Sequence, residues 1–204
     1  MSRSVLYMSM SVDGYIAGPN DEPGNPGGDD FMRLHEWFGF ASDTVPRVAS
    51  IDPSGVRGQF LDEIKATGAV LVGRNTAEQA DHWSGDHHNG VPIFVLSHRP
   101  PTPAVAQHPL VTYVTDGIVS AMALAKAAAG DGNVLVHGAS TAQTALEAGV
   151  LDEVQIHQIP VLFGGGRRLF DVLAARIELE IVRVIDSPEA THIRYRVASQ
   201  GGVV

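Results

Sequence analysis

One stretch of the chain has the residue types and spacing that favour binding of a phosphate group. Residues 133–142, NVLVHGASTA, pass from β-branched residues through small ones into a helical pattern. A helix that begins after such a turn presents free backbone N–H groups and a partial positive charge to an anion. We therefore predict a site for a phosphorylated ligand, such as a nucleotide cofactor, although small residues also form such turns for packing alone. The residues of this turn are Gly138, Ala139, Ser140 and Thr141.

Two further motifs carry side chains that suit phosphate oxygens. Gly73, Arg74 and Thr76 follow a short apolar run, and Ser97 and Arg99 follow another. A guanidinium beside a hydroxyl suits a phosphate, and the second motif suits the 2′-phosphate of NADP. The alternatives are a helix cap with a surface arginine for the first motif and a solvated loop for the second.

A third motif is a run of three glycines, Gly164, Gly165 and Gly166, which two arginines follow. Consecutive glycines allow positive φ and leave backbone N–H groups uncovered, so the run can approach a ligand closely. A flexible turn with two surface arginines is the alternative interpretation.

Asp13 is the first candidate for a catalytic residue, because it can orient a substrate or relay a proton. The competing interpretation is that it forms the Asp-Gly turn after the first strand. His137 adjoins the phosphate turn, and we expect it to be a core histidine bonded to backbone. Trp37, Phe38 and Phe40 have helical spacing, which favours core packing over an aromatic wall above a flat substrate.

Residues 81–88, DHWSGDHH, combine three histidines and two aspartates. Their spacing does not place two histidines one helical turn apart, and the Ser-Gly pair indicates an irregular loop. We predict a solvated loop that could rim a pocket, and no metal site.

Elements that alternate between strand and helix position these motifs. Strands are predicted at residues 4–12, 69–72, 91–96, 110–114, 133–136 and 154–159, followed by a terminal hairpin of 177–185 and 191–197. Helices are predicted at residues 31–40, 56–67 (with Gly68 as its stop), 73–80, 117–129 and 141–148, with a loop at 19–30 and an irregular stretch at 41–53. This order predicts an α/β fold with a mostly parallel sheet, antiparallel C-terminal strands and helices on both faces.

Composition narrows the class of protein. The 204 residues suit a single domain over 1–204, and a net charge of −9 argues against a nucleic-acid or anionic-membrane binder. The chain has no cysteine, hence no thiolate metal site. Neither a secretory signal nor a run long enough for a membrane span is present, so we expect a cytoplasmic protein with no membrane partner.

Taken in order, the motifs resemble those of the dihydrofolate-reductase-like superfamily, and most closely the C-terminal reductase domain of the bifunctional riboflavin-biosynthesis deaminase/reductase. The resemblance extends from residue 4 to about 197. The segments that carry it are residues 9–17 (SMSVDGYIA), 72–76 (VGRNT), 95–97 (VLS), 136–140 (VHGAS), 149–153 (GVLDE), 160–166 (PVLFGGG) and 169–170 (LF).

This resemblance implies a three-layer α/β/α domain that binds NADPH and transfers hydride to a small heterocyclic or carbonyl substrate. By position, the resemblance places Gly73, Arg74 and Thr76 near the cofactor phosphates and Ser97 and Arg99 at the 2′-phosphate. It places Gly138 to Thr141 at the pyrophosphate. Asp13 would lie beside nicotinamide and substrate, and Gly164 and Gly165 would form a glycine turn near the site.

Three departures limit what the resemblance implies about the substrate. Val136 stands where the riboflavin reductases carry a glutamate that contacts substrate. No acidic residue lies in a recognisable pterin-binding context, and the deaminase half with its zinc site is absent. A catalytically silent NADP-binding sensor and an assembly protein of the same fold therefore remain alternatives. The exposed edge of the terminal strands, together with the resemblance, predicts a homodimer.

Overall fold

The computed structural model describes residues 2–39, 54–171 and 173–198. In chain order its strands are β1 (Ser4–Ser11), β2 (Tyr15–Ala17), β3 (Thr67–Gly73), β4 (Ile93–Leu96), β5 (Val111–Val114), β6 (Asn133–His137), β7 (Glu153–Ile159), β8 (Arg167–Arg168), β9 (Leu179–Asp186) and β10 (Thr191–Val197). The α-helices of the described part are α1 (Gly55–Lys65), α2 (Arg74–Gln79), α3 (Ile118–Ala129) and α4 (Ala139–Glu147).

Eight strands form one sheet in the order β5-β4-β3-β6-β1-β7-β10-β9, and β2 pairs with β8 in a separate ribbon. The six strands from β5 to β7 run parallel, whereas β10 is antiparallel to both of its neighbours. The predicted mostly parallel sheet with antiparallel C-terminal strands is therefore confirmed. No helix in the described ranges is long and apolar enough to cross a membrane.

Helices cover both faces of the sheet and give it three layers. On one face, α3 and α4 pack on Leu71 and Val136 through buried alanines and Met122. On the opposite face, α1 packs with Tyr7, and Ala77 of α2 packs with Val70. The middle of β3 is fully buried because both faces are covered, which explains why its sequence is a continuous apolar run.

Two predicted helices differ from the structure. Residues 31–39 form two 3-10 turns, Phe31–Leu34 and Glu36–Phe38, instead of an α-helix, and Gly39 with φ 95° ends the second. The helix predicted at 56–67 ends at Lys65, and Gly68 lies inside β3 instead of stopping the helix. A Cβ at Gly68 would lie 2.3 Å from the Ala129 carbonyl oxygen, so this glycine permits close packing. Phe40 and the predicted irregular stretch 41–53 lie outside the described residues.

Candidate active site

The parallel strands bring every predicted site motif to one edge of the sheet. The motifs at residues 97–99, 73–76, 138–141, 11–14 and 160–166 follow directly on β4, β3, β6, β1 and β7. These five strands are consecutive in the sheet, and all point their carboxyl ends the same way. Ligands of open α/β sheets bind at that edge, where the order of strands along the chain reverses.

Two glycines form a cradle between the first turns of α2 and α4. A Cβ at Gly73 would lie 2.9 Å from the Thr141 hydroxyl, and a Cβ at Gly138 would lie 2.9 Å from the Thr76 hydroxyl. Gly138 also has φ 87°, a conformation that strains any residue with a side chain. The structure thus brings Gly73, Thr76, Gly138 and Thr141 together. It also explains why positions 73 and 138 require glycine, since a side chain there would collide with a threonine hydroxyl.

The start of α4 offers donors that fit an anion. Helix α4 begins at Ala139, two residues earlier than the predicted start at residue 141, and its first intrahelical bond joins the Ala142 N–H to the Gly138 carbonyl. The N–H groups of residues 139–141 therefore have no carbonyl one turn before them within the helix. The Thr141 hydroxyl is buried without a hydrogen-bond partner. These free donors fit the pyrophosphate of a dinucleotide cofactor.

Arg74 holds the loop that follows β4. Its Nη1 donates to the Pro100 carbonyl at 3.1 Å and to the Arg99 carbonyl at 3.3 Å, while its Nε pairs with Glu78 at 2.7 Å. The Ser97 hydroxyl closes the same loop by donating to the Arg99 carbonyl at 2.7 Å. Arg74 and Ser97 thus fix the loop backbone, and the exposed Arg99 side chain has no hydrogen bond within the described ranges.

Asp13 ties the turn after β1 to the glycine run. Its carboxylate accepts hydrogen bonds from the Ser11 hydroxyl at 2.6 Å and from the amides of Phe163 at 3.1 Å and Gly164 at 2.7 Å. The Ser11 hydrogen bond, reinforced by those amides, lowers the pKa of Asp13 to about 2. The carboxyl group is therefore ionised at neutral pH, and the Gly164 amide is already used within the protein.

A cleft of about 2030 Å³ opens beside the cradle. Thr76, Gly138 and Ala139 line it, together with residues of the 19–30 loop. The other predicted site residues lie outside its lining: Asp13, Gly73, Arg74, Ser97, Arg99, Ser140, Thr141, Gly164 and Gly165. Single small-molecule pockets typically measure about 300–1,000 Å³. The cleft therefore has room for a dinucleotide and a second ligand.

Aromatic residues line one wall of the cleft. Trp37 and Phe38 are buried, with 4% and 6% of their surface exposed, and they belong to the core beneath α1. The Trp37 ring stacks on His157 with centroids 4.2 Å apart, and its Nε1 donates to the Ser9 hydroxyl at 2.9 Å. Both residues are core residues as predicted, and both also border the cleft.

The histidine-rich segment borders the cleft, as predicted for a loop that could rim a pocket, but the prediction that it is solvated was wrong for His82 and His88. His82 and His88 are 7% and 5% exposed, and His87 and His88 line the cleft. His137 was expected to bond to backbone, but among the described residues its ring contacts a side chain instead: its Nε2 lies 3.2 Å from the Nε2 of His87. Within the described ranges no group of three or more His, Cys, Asp or Glu side chains could hold a metal ion.

Sequence reasoning missed the contact between this segment and His137. The available signal was composition, since three histidines and a tryptophan within eight residues are unusual for a solvated loop. Burial lowers the pKa of His137 to about 4, with further contributions from His88 and His35. The ring is therefore neutral where it borders the cleft.

The parallel sheet with its antiparallel C-terminal strands, and the cleft at its carboxyl edge, define a dihydrofolate-reductase-like α/β protein. The chain belongs to the RibD C-terminal domain family, which matches it over residues 5–193. No curated protein matches the chain.

Solved structures agree with this family. A riboflavin biosynthesis protein from Shewanella sp. PV-4 is 25% identical with a TM-score of 0.71, and the match covers 96% of this chain and 99% of that one. RibD from Acinetobacter baumannii is 16% identical with a TM-score of 0.62, over 97% of this chain and 58% of that one, so this chain spans little more than half its length. Dihydrofolate reductase from Enterococcus faecalis, complexed with NADP(H) and RAB-propyl, shares the fold at 13% identity and a TM-score of 0.58, over 96% of each chain.

Proposed function

We propose that the protein is an NADPH-dependent reductase of a small heterocyclic or carbonyl compound. The observation that carries the proposal is the cradle at the carboxyl edge, where Gly73 and Gly138 leave room between two helix starts and the buried Thr141 hydroxyl has no partner. Family membership supports a reductase, and the Enterococcus enzyme shows that this fold accommodates NADP(H). A cytoplasmic location, where NADPH is available, goes with this proposal.

In this proposal different residues of the chain bind different parts of the cofactor. In our proposal the amides of Ala139, Ser140 and Thr141 bind the pyrophosphate at the start of α4. Arg74 and Ser97 present the loop from which Arg99 reaches the 2′-phosphate. Bound NADPH would supply a hydride to an acceptor carbon, and the protein's part is to orient both ligands and exclude water.

We assign a structural role beside the site to Asp13, Gly164 and Gly165. Since the Asp13 carboxylate binds the Gly164 amide and does not line the cleft, we assign Asp13 to fixing the turn beside the site. Gly165 lies next to Pro19, where a Cβ would be 3.6 Å from its ring, so the glycine run borders the 19–30 loop. Contacts of Asp13, Gly164 and Gly165 with the cofactor stay a prediction from the sequence.

The wall of the cleft favours a flat or carbonyl-bearing substrate. Phe31 and Trp37 line it, and Val136, where the riboflavin reductases carry a glutamate, is fully buried. A uracil-type substrate would thus lack that charged partner. Pterin-like compounds, pyrimidines and carbonyl compounds are therefore all candidate hydride acceptors. A silent NADP-binding sensor is the alternative.

Deuteride transfer tests the reductase. The protein is incubated with NADPH deuterated at C4 and with pterins, pyrimidines and carbonyl compounds, and the products are analysed by mass spectrometry. We expect one class of acceptor to gain one deuterium. If NADPH binds but no acceptor gains deuterium, the silent sensor is correct instead.

A homodimer through the β9 edge is also proposed. Ile181, Val182 and Val184 of this edge strand are 63%, 44% and 54% exposed, and an apolar edge strand invites pairing with another chain. Light scattering is expected to give twice the chain mass of 21.6 kDa, and Ile181→Lys is expected to give the single mass. A wild-type monomer at micromolar concentration would contradict this proposal.

A further inference from the structure

The chain makes a left-handed turn directly after α2. Asp81, His82, Trp83 and Ser84 have φ angles of 46°, 49°, 52° and 54°, and Gly85 follows with φ 90°. Left-handed backbone is costly for residues with a side chain, because the Cβ atom crowds the next carbonyl oxygen. Strain of this kind persists only where the surrounding structure fixes it, and it concentrates at functional sites.

Neighbouring groups hold this left-handed turn in place. The Trp83 N–H donates to the Ala80 carbonyl at 2.8 Å, and the Asp86 N–H donates to the Trp83 carbonyl at 3.2 Å. The His82 side chain is buried, and its Nε2 lies 2.9 Å from the Tyr113 hydroxyl on β5. The turn is therefore anchored to the sheet at His82, and the next residue, Trp83, lines the cleft.

The two tryptophans of the chain differ in how their indole N–H groups are used. Trp37 is 4% exposed, and its N–H donates to the Ser9 hydroxyl. Trp83 is only partly buried, and its Nε1 is accessible and has no hydrogen bond to any described residue. Because a buried indole N–H usually finds a partner, the core position of Trp37 is the ordinary case. Trp83 instead keeps a free donor beside the cleft.

Trp83 belongs to a group of three rings that line the cleft beside the cradle. Its ring centroid lies 4.6 Å from that of His87 and 6.3 Å from that of His137, which directly precedes the cradle residue Gly138. Burial lowers the pKa of His87 well below its usual range and that of His137 to about 4. Both imidazoles are therefore neutral at physiological pH, and the three rings form an uncharged aromatic wall.

We propose that Trp83 is a specificity-determining residue whose indole binds a planar ring of the substrate. The proposal rests on the reductase function proposed above, and it narrows the substrate to a compound that bears such a ring. An indole packs against a planar ring by offset stacking or edge to face, and its N–H donates one hydrogen bond to a carbonyl oxygen or ring nitrogen. A flat heterocycle offers both contacts, whereas an aliphatic carbonyl compound offers only the acceptor.

The position of Trp83 assigns this ring to the second ligand of the cleft. In our proposal Arg99 takes the 2′-phosphate of the cofactor, and neither Arg99 nor Ser97 lines the cleft. Thr76 at the cradle, Gln79 one helical turn further and then Trp83 line it in succession. This wall leads from the proposed phosphate site along α2, away from the loop assigned to the adenosine end of the cofactor.

The variants Trp83→Leu and Trp83→Phe test the ring contact. Binding of quinazolin-4-one, a planar lactam, and of 2-piperidone, a lactam without an aromatic ring, is measured by calorimetry with and without saturating NADPH. We expect Trp83→Leu to weaken binding of quinazolin-4-one about tenfold and Trp83→Phe to weaken it about threefold. Both variants should keep the wild-type Kd for NADPH, and 2-piperidone should bind the wild type about tenfold more weakly than quinazolin-4-one does.

Val111→Ala is the matched control for lost packing. Val111 packs against the same apolar cluster as Trp83, which includes Val70 and Val95, but it does not line the cleft. This variant should lose stability and keep the wild-type Kd for quinazolin-4-one.

Nitrogen NMR of protein labelled with ¹⁵N-tryptophan observes the contact without a change in the site. The two tryptophans give two indole N–H signals, and Trp83→Phe assigns them. We expect quinazolin-4-one to shift the signal of Trp83 more than that of Trp37. A Trp83 signal that does not move while the probe binds would overturn the proposal, whether or not Trp83→Leu folds.

The outcomes separate the ring subsite from the reductase itself. If Trp83→Leu binds quinazolin-4-one within twofold of the wild type, or if the wild type does not bind it at millimolar concentration, the subsite is overturned. If Trp83→Leu weakens binding of NADPH instead, the ring at Trp83 belongs to the cofactor and the proposal is also overturned. Deuteride transfer judges the reductase separately, because quinazolin-4-one bound at Trp83 without any deuterated product supports the subsite and counts against the reductase.

Discussion

Gly138→Ala is expected to weaken NADPH binding by about 100-fold, which corresponds to about 2.7 kcal/mol. The added Cβ would lie 2.9 Å from the Thr76 hydroxyl, and the residue would have to keep a φ of 87°. Relief of either strain moves the start of α4 and its free amides, and hydrogen bonds to charged groups contribute about 1.5–3 kcal/mol each. Calorimetric titration of the variant with NADPH measures the effect.

Gly149→Ala is the matched control for backbone strain. Gly149 follows the other end of α4 with φ 66°, and no atom lies within 4 Å of its added Cβ. This variant should lose a similar amount of stability to the positive φ and keep the wild-type Kd for NADPH. Equal Kd values for Gly138→Ala and the wild type would show that the cradle does not hold the cofactor.

Acidification is expected to destabilise the fold well before the carboxylates protonate. Burial lowers the pKa of His137 and of His192 to about 4, with Arg183 also lowering that of His192. His192 is 1% exposed, and its Nδ1 lies 2.7 Å from that of the fully buried His157. Since these rings bind protons less readily in the folded state, acid favours the unfolded chain.

The direction and the pH window follow from these pKa values. A histidine whose folded pKa is about 4 contributes full stability above its ordinary pKa of 6.5, and that contribution falls as the pH drops towards 4. At pH 5 the free energy of unfolding should be lower by about 2 kcal/mol for each such histidine. Urea unfolding at pH 7.5 and pH 5 measures the loss. Equal free energies of unfolding at the two pH values would contradict the predicted acid destabilisation.

Local sequence patterns were sufficient for the elements that position the site. The apolar run of β3 and the small turn before α4 both depend on neighbouring residues only, and their pattern predicted a buried strand and a helix start. The pattern failed at residues 31–39, because apolar residues spaced three and four apart also suit successive 3-10 turns. It failed at Gly68 because packing against Ala129, and not a helix stop, requires that glycine.

The remaining features depend on contacts between distant parts of the chain. His87 meets a histidine 50 residues away, and the Asp13 carboxylate meets an amide 151 residues away. Single-sequence patterns do not encode such pairings, so the histidine segment was predicted to be solvated and Asp13 to be a catalytic candidate. Only the fold shows that His87 lines the cleft and that Asp13 connects two loops.

A thermal-shift comparison of NADPH with NADH tests the central claim, that the carboxyl edge of the sheet binds NADPH. Ligand binding to the folded state must raise Tm, so we expect a larger rise with NADPH than with NADH. Arg99→Ala should make the two rises equal, and Arg176→Ala, a surface arginine 87% exposed in its side chain, should keep the wild-type difference. No rise in Tm with saturating NADPH would contradict the claim, and equal rises in the wild type would exclude recognition of the 2′-phosphate at Arg99.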